Sequence, residues 1–296
     1  MSIRRMPSSE QFQVMRPTEQ ATAYHDHLQM RLINFQMVRL VTWEVRVLSP
    51  FWRLYCNLDD GAEIYAGRQT IPLRANCVYL VPAWLLWSGS SRPGVRHVYS
   101  HFDLPGLTRS LSRAAFPLPL QVYPRKGGEP AGALDLAREF SALGHALRPG
   151  ALDPFLVSWA KSLIYWGLRE AFAELSAGLR ERCLQPGAGR HPLTRVLSLI
   201  DTHLQQDLSN DVLAEAMHCS RPHLVRLFRS VLGVSPARYV TERRVSHAAE
   251  LLAYSEESLE SIAASCGFAN RHHFTRVFSQ VIGTPPARYR KQKGPA

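Results

Sequence analysis

Two stretches near the end of the chain repeat each other at an offset of 50 positions: Ser220-Arg-Pro-His-Leu-Val-Arg-Leu-Phe-Arg-Ser-Val-Leu-Gly-Val-Ser-Pro-Ala-Arg-Tyr239 and Asn270-Arg-His-His-Phe-Thr-Arg-Val-Phe-Ser-Gln-Val-Ile-Gly-Thr-Pro-Pro-Ala-Arg-Tyr289. Upstream, Leu213-Ala214 matches Ile262-Ala263 at an offset of 49, so the second copy has gained one residue. A fixed period of this kind indicates a duplicated supersecondary unit. The last third of the chain is therefore predicted to be two copies of one helical unit.

Each copy has the parts of a helix-turn-helix, in which a bracing helix supports a second helix. Four residues with a side-chain oxygen stand where helix N-caps are needed: Ser209, Ser220, Ser258 and Asn270. Glycine ends the second helix and proline begins the next in both copies, at Gly233, Gly283, Pro236 and Pro286. These signals predict helices over 193–205, 209–217, 220–232, 236–253, 258–265 and 270–282, and a last helical turn from Pro286.

The second helix of each copy combines an apolar stripe with an outer face rich in arginine. Neither helix contains a carboxylate, and we expect the acidic residues of the bracing helices to lie away from this face. Arginine is suited to bidentate contact with guanine, whereas His and Thr can contact base edges or phosphate. The residues predicted to face double-stranded DNA are Arg221, Val225, Arg226 and Arg229 in the first copy and Arg271, His272, Thr275 and Arg276 in the second.

The second copy lies in the segment Ser258-Leu-Glu-Ser-Ile-Ala-Ala-Ser-Cys-Gly-Phe-Ala-Asn-Arg-His-His-Phe-Thr-Arg-Val-Phe-Ser-Gln-Val-Ile-Gly-Thr-Pro-Pro-Ala-Arg-Tyr-Arg290. This segment resembles the C-terminal signature of the AraC/XylS family, and the resemblance extends over about 193–290. It implies a transcription regulator, by expectation an activator that works with RNA polymerase. It places Pro222, Val225 and Arg226 at base-facing positions of the first unit. Pro222 and Val225 donate no side-chain hydrogen bond, so the second unit is predicted to specify more bases than the first. His218 stands where the second unit has the turn glycine Gly267.

The N-terminal part reads differently, as short β-type runs broken by turn residues between positions 35 and 103. They predict a small antiparallel barrel or sandwich, followed by helices over about 130–147 and 154–182. The resemblance implies that this part is a cupin-like module that senses a small molecule and dimerises. The fold class is thus α+β, with a sensing and dimerisation domain over 1–184, a Pro- and Gly-rich linker over 185–192, and a DNA-binding domain over 193–296.

Aromatic residues and arginines in the predicted sheet region suggest an effector pocket. An apolar pocket with a few polar groups is the usual form of a small-molecule site, although most of these aromatic rings could equally be barrel core. The candidates for the pocket are Trp43, Trp52, Tyr65, Tyr79 and Arg53.

Bulk properties agree with a DNA-binding protein that is neither exported nor membrane-bound. A formal net charge of +11 suits an anionic partner. The five scattered cysteines form no CxxC pair, which argues against a disulfide framework or zinc site and favours the cytoplasm. His97 and His101 stand four apart on one predicted strand, and no cofactor, metal or catalytic residue is assigned. The alternatives are a cupin-type enzyme, a DNA-repair methyl acceptor, and a DNA-binding protein without an effector.

Overall fold

The computed structural model describes residues 30–41, 43–124, 135–147, 153–184 and 193–292. All strands within these residues precede position 124. They are β1 (Arg31–Arg39), β2 (Val45–Leu48), β3 (Trp52–Asn57), β4 (Ala62–Ala66), β5 (Gln69–Leu73), β6 (Val78–Val81), β7 (Leu86–Ser91), β8 (Arg96–Asp103) and β9 (Leu120–Tyr123).

The strands form two antiparallel sheets, which in the described residues do not close into a barrel. One sheet has the order β1-β8-β3-β6-β9 and the other the order β2-β7-β4-β5. The α+β class is confirmed, and the two sheets are open, as in the predicted sandwich, and do not form the barrel that was the other predicted form. The β-type runs in the sequence, at 35–41, 52–55, 62–65, 77–82 and 95–103, correspond to β1, β3, β4, β6 and β8. The sequence does not predict β2, β5, β7 and β9, which are short; β5 contains Pro72, and β7 ends in Ser-Gly-Ser-Ser, a composition typical of turns.

Four described helices accompany the sheets: α1 (Arg109–Ala115), α2 (Leu136–Ala146), α3 (Pro154–Ala173) and α4 (Ala177–Leu184). The helix α3 passes so close to the larger sheet that a Cβ on Gly167 would lie 3.0 Å from a methyl of Leu54. Only two helices are predicted here from the sequence. The short α1 was missed, although Thr108 caps it, and the second predicted helix is divided because the last turn of α3 tightens at Glu174.

The C-terminal part is entirely helical where it is described: α5 (Leu193–Thr202), α6 (Asn210–Ala216), α7 (Arg221–Leu232), α8 (Pro236–Tyr254), α9 (Leu259–Ser265), α10 (Arg271–Ile282) and α11 (Pro286–Lys291). These bounds lie within three residues of the predicted ones. All four predicted N-caps accept a hydrogen bond from the backbone three residues on. The predicted linker over 185–192 lies outside the described residues. No helix in the described ranges is long and apolar enough to cross a membrane.

The turns of the two helix-turn-helix units both need a residue in the left-handed conformation, but they differ in how much room they leave for a side chain. His218 has a φ of 51° in the first turn and Gly267 a φ of 73° in the second. A Cβ on Gly267 would lie 2.1 Å from the carbonyl oxygen of Leu204, a backbone atom that cannot move aside cheaply. Only glycine therefore fits at position 267.

Replacing Gly267 by alanine is expected to destabilise the protein by more than about 2 kcal/mol, since left-handed strain adds to a backbone clash. Gly233→Ala is the matched control, because Gly233 also has a positive φ but a Cβ added there would have nothing within 4 Å. It should cost about 1 kcal/mol. Urea unfolding of both variants gives the comparison, and equal losses would contradict this account of the turn.

The sheets and the C-terminal helices are packed against each other. One cluster of buried apolar side chains runs from the sheets into the second helix-turn-helix unit, whereas the first unit has a separate core. At the centre of the contact lies Arg243 of α8, whose guanidinium is 2.7 Å from Asp103 of β8 and 2.6 Å from Asp201 of α5. Burial alone would lower the pKa of Arg243, but the two neighbouring carboxylates raise it well above its ordinary value.

We expect Arg243→Met to lower the free energy of unfolding by about 3 kcal/mol, because it removes the nearest cation from the buried Asp103 and the half-buried Asp201 and leaves Asp103 only Arg31, at 3.7 Å. Arg221→Met is the control, since the pair of Arg221 with Asp211 has side chains 61% and 68% exposed. An exposed pair of this kind contributes less than about 1 kcal/mol. The midpoints of urea unfolding measure the difference, and a loss no larger than that of the control would rule out a structural role for the buried bridge.

Candidate nucleic-acid interface and effector pocket

The helices α7 and α10 each bury one side and expose the other. The buried side chains are Leu224, Phe228 and Leu232 on α7 and Phe274, Phe278 and Ile282 on α10. Among the predicted DNA contacts, Val225 and Thr275 are half-buried, and the exposed ones are Arg221, Pro222, Arg226, Arg229, Arg271, His272 and Arg276. The structure therefore leaves this whole set at the surface, where a duplex could reach it.

An ion pair recurs at the start of both helices. Arg221 Nε lies 3.1 Å from Asp211 Oδ1, and Arg271 Nη1 lies 2.7 Å from Glu260 Oε1. Each carboxylate belongs to the second residue of a bracing helix, Asp211 to α6 and Glu260 to α9. The helix that follows each of them, α7 or α10, is called the recognition helix. The expectation that the acidic residues lie away from the arginine face is wrong for these two. The hydrogen bond from Arg271 lowers the pKa of Glu260.

Three other arginines on this surface have no such partner. Arg226, Arg229 and Arg276 are exposed, and no carboxylate lies within 4 Å of them in the part of the chain that the structure describes. Their guanidinium groups keep all their donors for another molecule. The surface thus holds two kinds of arginine, one tethered to the bracing helix and one free.

A cavity of about 280 Å³ lies between the two sheets and is bounded by the C-terminal helices. The larger sheet and the segment before it contribute Gln36, Phe51, Arg53, Tyr55, His97, Tyr99 and His101. The other sheet and its loop contribute Trp43, Val45, Val47 and Trp87, and the C-terminal part contributes Ala253, Tyr254, Tyr289 and Gln292. We call this cavity the effector pocket.

Two of the five predicted pocket residues, Trp43 and Arg53, line the effector pocket, and three do not. Trp52 points to the opposite face of β3 from Arg53, because successive strand residues alternate, and packs edge-on against Phe116. Tyr65 is 38% exposed on the smaller sheet. The hydroxyl of Tyr79 accepts a hydrogen bond from the backbone of Arg74 at 3.1 Å.

Arg53 is buried without a countercharge. Its side chain belongs to a residue that is 5% exposed, and its guanidinium lies 4.7 Å from the ring centre of Phe51 and 5.5 Å from that of Trp87. Nη1 donates to the carbonyl of Phe51 at 3.3 Å. No carboxylate lies within 4 Å of this guanidinium in the described residues, and the lining contains no Asp or Glu.

The two histidines of the effector pocket are held in the neutral form. Burial lowers the pKa of His97 to about 3, and its Nδ1 is 2.6 Å from Asn57 Oδ1. Burial and the charge of Arg53 lower the pKa of His101 well below its ordinary value, and His101 is hydrogen-bonded to the hydroxyl of Tyr254. In the described residues no three His, Cys, Asp or Glu side chains gather in a way that could hold a metal ion.

Sequence reasoning could not have found Tyr254 and Tyr289 as pocket residues. They lie at the end of α8 and within α11, about two hundred positions from Arg53, and no local pattern connects them. Tyr55, Trp87 and Tyr99 carried a weak signal, since they are aromatic residues on strands. Their side of the sheet became clear only from the register, which sets Arg53 opposite His101 and Tyr55 opposite Tyr99.

Comparison with known proteins finds relatives of the C-terminal helices and a likeness of fold for most of the chain. A family described as a helix-turn-helix domain matches residues 213–292. An uncharacterized HTH-type transcriptional regulator, YfiF of Bacillus subtilis, is 30% identical over 224 residues, which are 72% of this chain and 69% of YfiF. The HTH-type transcriptional activator RhaS of Citrobacter koseri is 30% identical over 99 residues, 33% of this chain and 36% of RhaS.

A solved structure extends the likeness to the whole fold. ToxT of Vibrio cholerae O395 superposes with a TM-score of 0.51 at 12% identity, covering 89% of this chain and 97% of ToxT. At that identity the likeness concerns the fold, which includes the N-terminal sheets as well as the helices.

Because His97 is buried in its neutral form, we expect the free energy of unfolding to fall in acid. Its ordinary pKa of 6.5 falls to about 3 on folding, so the unfolded chain binds the proton more readily and stability is lost as the pH falls below 6.5. We expect a loss of about 2 kcal/mol from this group between pH 7 and pH 5. His97→Gln should show a shallower decline than the parent in urea unfolding across this range. Parallel curves for the two proteins would contradict the burial of a neutral imidazole.

Proposed function

Because the chain belongs to the AraC family of helix-turn-helix transcriptional regulators, we propose that α7 and α10 bind one operator sequence and that a small molecule in the effector pocket changes this binding. The observation that supports the proposal is that the effector pocket is lined both by residues of the sheets and by residues of the C-terminal helices. Tyr254 ends the helix that joins the two helix-turn-helix units, and Tyr289 packs on Phe278 of α10 with ring centres 5.4 Å apart. A ligand there would touch α8 and α11, and Tyr289 of α11 is in direct contact with α10.

The free arginines supply the base and phosphate contacts in this proposal. Arg226 and Arg276 occupy equivalent positions of the two units and suit guanine, while Arg229 suits phosphate. Pro222 and Val225 offer only apolar surface, of the kind that contacts a thymine methyl. The second unit, with His272 and Thr275 beside Arg276, contributes more of the sequence preference.

The organisation around this activity is also proposed. Residues 1–184 sense the effector and dimerise, 185–192 link, and 193–296 bind DNA. The protein works as a cytoplasmic homodimer that activates transcription together with RNA polymerase, in line with the activators among its relatives. The apolar side chain of Phe155 at the start of α3, which is 72% exposed, is a candidate for the dimer contact.

We propose no catalytic role. A DNA-repair methyl acceptor needs a reactive thiolate, yet burial raises the pKa of Cys56 to about 12 and that of Cys77 above its ordinary value. A metal-dependent cupin enzyme needs a ligand cluster that leaves a position open for substrate.

The test begins with selection of preferred duplexes from a randomised pool by the full-length protein. Arg276→Ala should then bind the selected duplex about tenfold to a hundredfold more weakly and discriminate less among sequences, because a bidentate base contact is lost. Fluorescence anisotropy with selected and scrambled duplexes measures both effects. Arg68→Ala, which removes an exposed arginine from the turn between β4 and β5, is the control. Equal discrimination by Arg276→Ala and the parent would contradict the assignment.

A further inference from the structure

The effector pocket is electrically unbalanced. Arg53 is the one charged side chain in its described lining, since the two histidines are neutral and the remaining polar residues are tyrosines, tryptophans and glutamines. Burial raises the pKa of Tyr55, raises that of Tyr99 to about 12, and raises those of Tyr254 and Tyr289, so none of these hydroxyls is ionised at neutral pH. The pocket therefore carries one uncompensated positive charge.

An unpaired buried charge is costly, and proteins normally pair such groups. The guanidinium of Arg53 donates one hydrogen bond to the Phe51 carbonyl, which leaves most of its five donors for another acceptor. The indole Nε1 of Trp87, in the same lining, is also buried and has no acceptor among the described residues. The guanidinium needs an acceptor that carries negative charge, and the indole N–H needs an acceptor of any kind.

The remaining lining is aromatic and narrow. Trp43 and Trp87 lie with ring centres 5.6 Å apart, and Tyr55 meets Trp43 edge-on at 6.0 Å. The cavity has a volume of about 280 Å³. A flat ring with one short substituent suits this aromatic lining, whereas a sugar with many hydroxyls would find few polar partners.

We propose that the effector is a small aromatic monocarboxylate, with its carboxylate on the guanidinium of Arg53 and its ring among Trp43, Tyr55 and Trp87. The proposal rests on the proposed function, since it names the ligand class of the same pocket. Arginine is the residue best matched to a carboxylate, because its planar fork can donate two parallel hydrogen bonds while its face stays on an aromatic ring.

The same geometry assigns a route from ligand to DNA. Tyr254 and Tyr289 close the pocket from the side of the DNA-binding helices, so their positions and the occupancy of the pocket depend on each other. Such coupling is reciprocal: if the ligand changes the affinity for DNA, the DNA changes the affinity for the ligand by the same factor.

Calorimetric titration of the full-length protein tests the ligand class with benzoate and phenylacetate, their neutral amides benzamide and phenylacetamide, and acetate. We expect at least one of the aromatic carboxylates to bind at least about tenfold more tightly than its own amide and than acetate, because only it supplies both the charge and the ring. Failure of both aromatic carboxylates to bind, or equal binding of acid and amide, would overturn the proposal.

Variants locate the binding. Arg53→Gln should abolish the preference for acid over amide, and Arg53→Lys, which keeps the charge but loses the fork, should weaken binding less. The control is Arg113→Gln, since Arg113 is exposed and lines a separate cleft of about 910 Å³ with Arg46, Arg109 and Arg288. Circular dichroism checks that each variant folds. If Arg53→Gln does not fold, the comparison of Arg53→Lys with the parent protein provides the test. Loss of binding in Arg113→Gln but not in the Arg53 variants would place the anion in the other cleft and refute the assignment.

Titration in the presence of the selected duplex separates this inference from the proposed function. Coupling should change the affinity for the carboxylate by at least about fivefold. Carboxylate binding that depends on Arg53 but is the same with and without DNA would support the ligand class and contradict the proposed regulation. Selective DNA binding without any carboxylate binding would support the DNA-binding function and reject the ligand class.

Discussion

The arrangement of this protein depends on the buried guanidinium of Arg243. It pairs with Asp103 at the end of the sheet unit and with Asp201 on the first C-terminal helix, so three segments meet at one cation. A largely buried cation needs a countercharge, and the buried Asp103 and the half-buried Asp201 share this one. Desolvation raises the pKa of Asp201, whereas Arg243 opposes that rise. Each of the three groups therefore fixes the position of the other two, and through them the position of α8 relative to the sheets.

This contact makes the two helix-turn-helix units unequal, although their sequences are so alike. The core of the second unit is continuous with the apolar interior of the sheets, whereas the first unit closes around its own core. Arg109 of α1 also donates to the carbonyl of Val281 at 3.0 Å, near the end of α10. A change in the sheet unit therefore reaches the second unit through packed side chains, and reaches the first through α8 and through the hydrogen bond from Thr108 to the carbonyl of Leu232 at the end of α7.

The sequence predicts the helices closely and the pocket poorly, for physical reasons. Helix ends depend on local signals, such as the Ser220 cap and the left-handed Gly233, and these are visible within a few residues. The pocket depends on strand register and on residues from opposite ends of the chain, as Trp52 and Arg53 illustrate: they are neighbours in sequence but face opposite sides of β3. The Arg221 and Arg271 pairs were missed because they form between helices whose crossing no sequence pattern specifies.

One face of α8 is attached to the sheet unit along almost its full length. Tyr239, Arg243, Glu250 and Tyr254 recur at helical spacing, and they meet Gly106, Asp103, Arg31 and His101 respectively. The 15 steps from Tyr239 to Tyr254 extend this contact for about 22 Å along the helix. A DNA-binding domain held in this way has a fixed position relative to the sheets, whereas one joined only by a linker could move. Two such subunits in a dimer would present their recognition helices at one fixed separation, and the distance between half-sites on the DNA would then be set by the protein and not by the length of a linker.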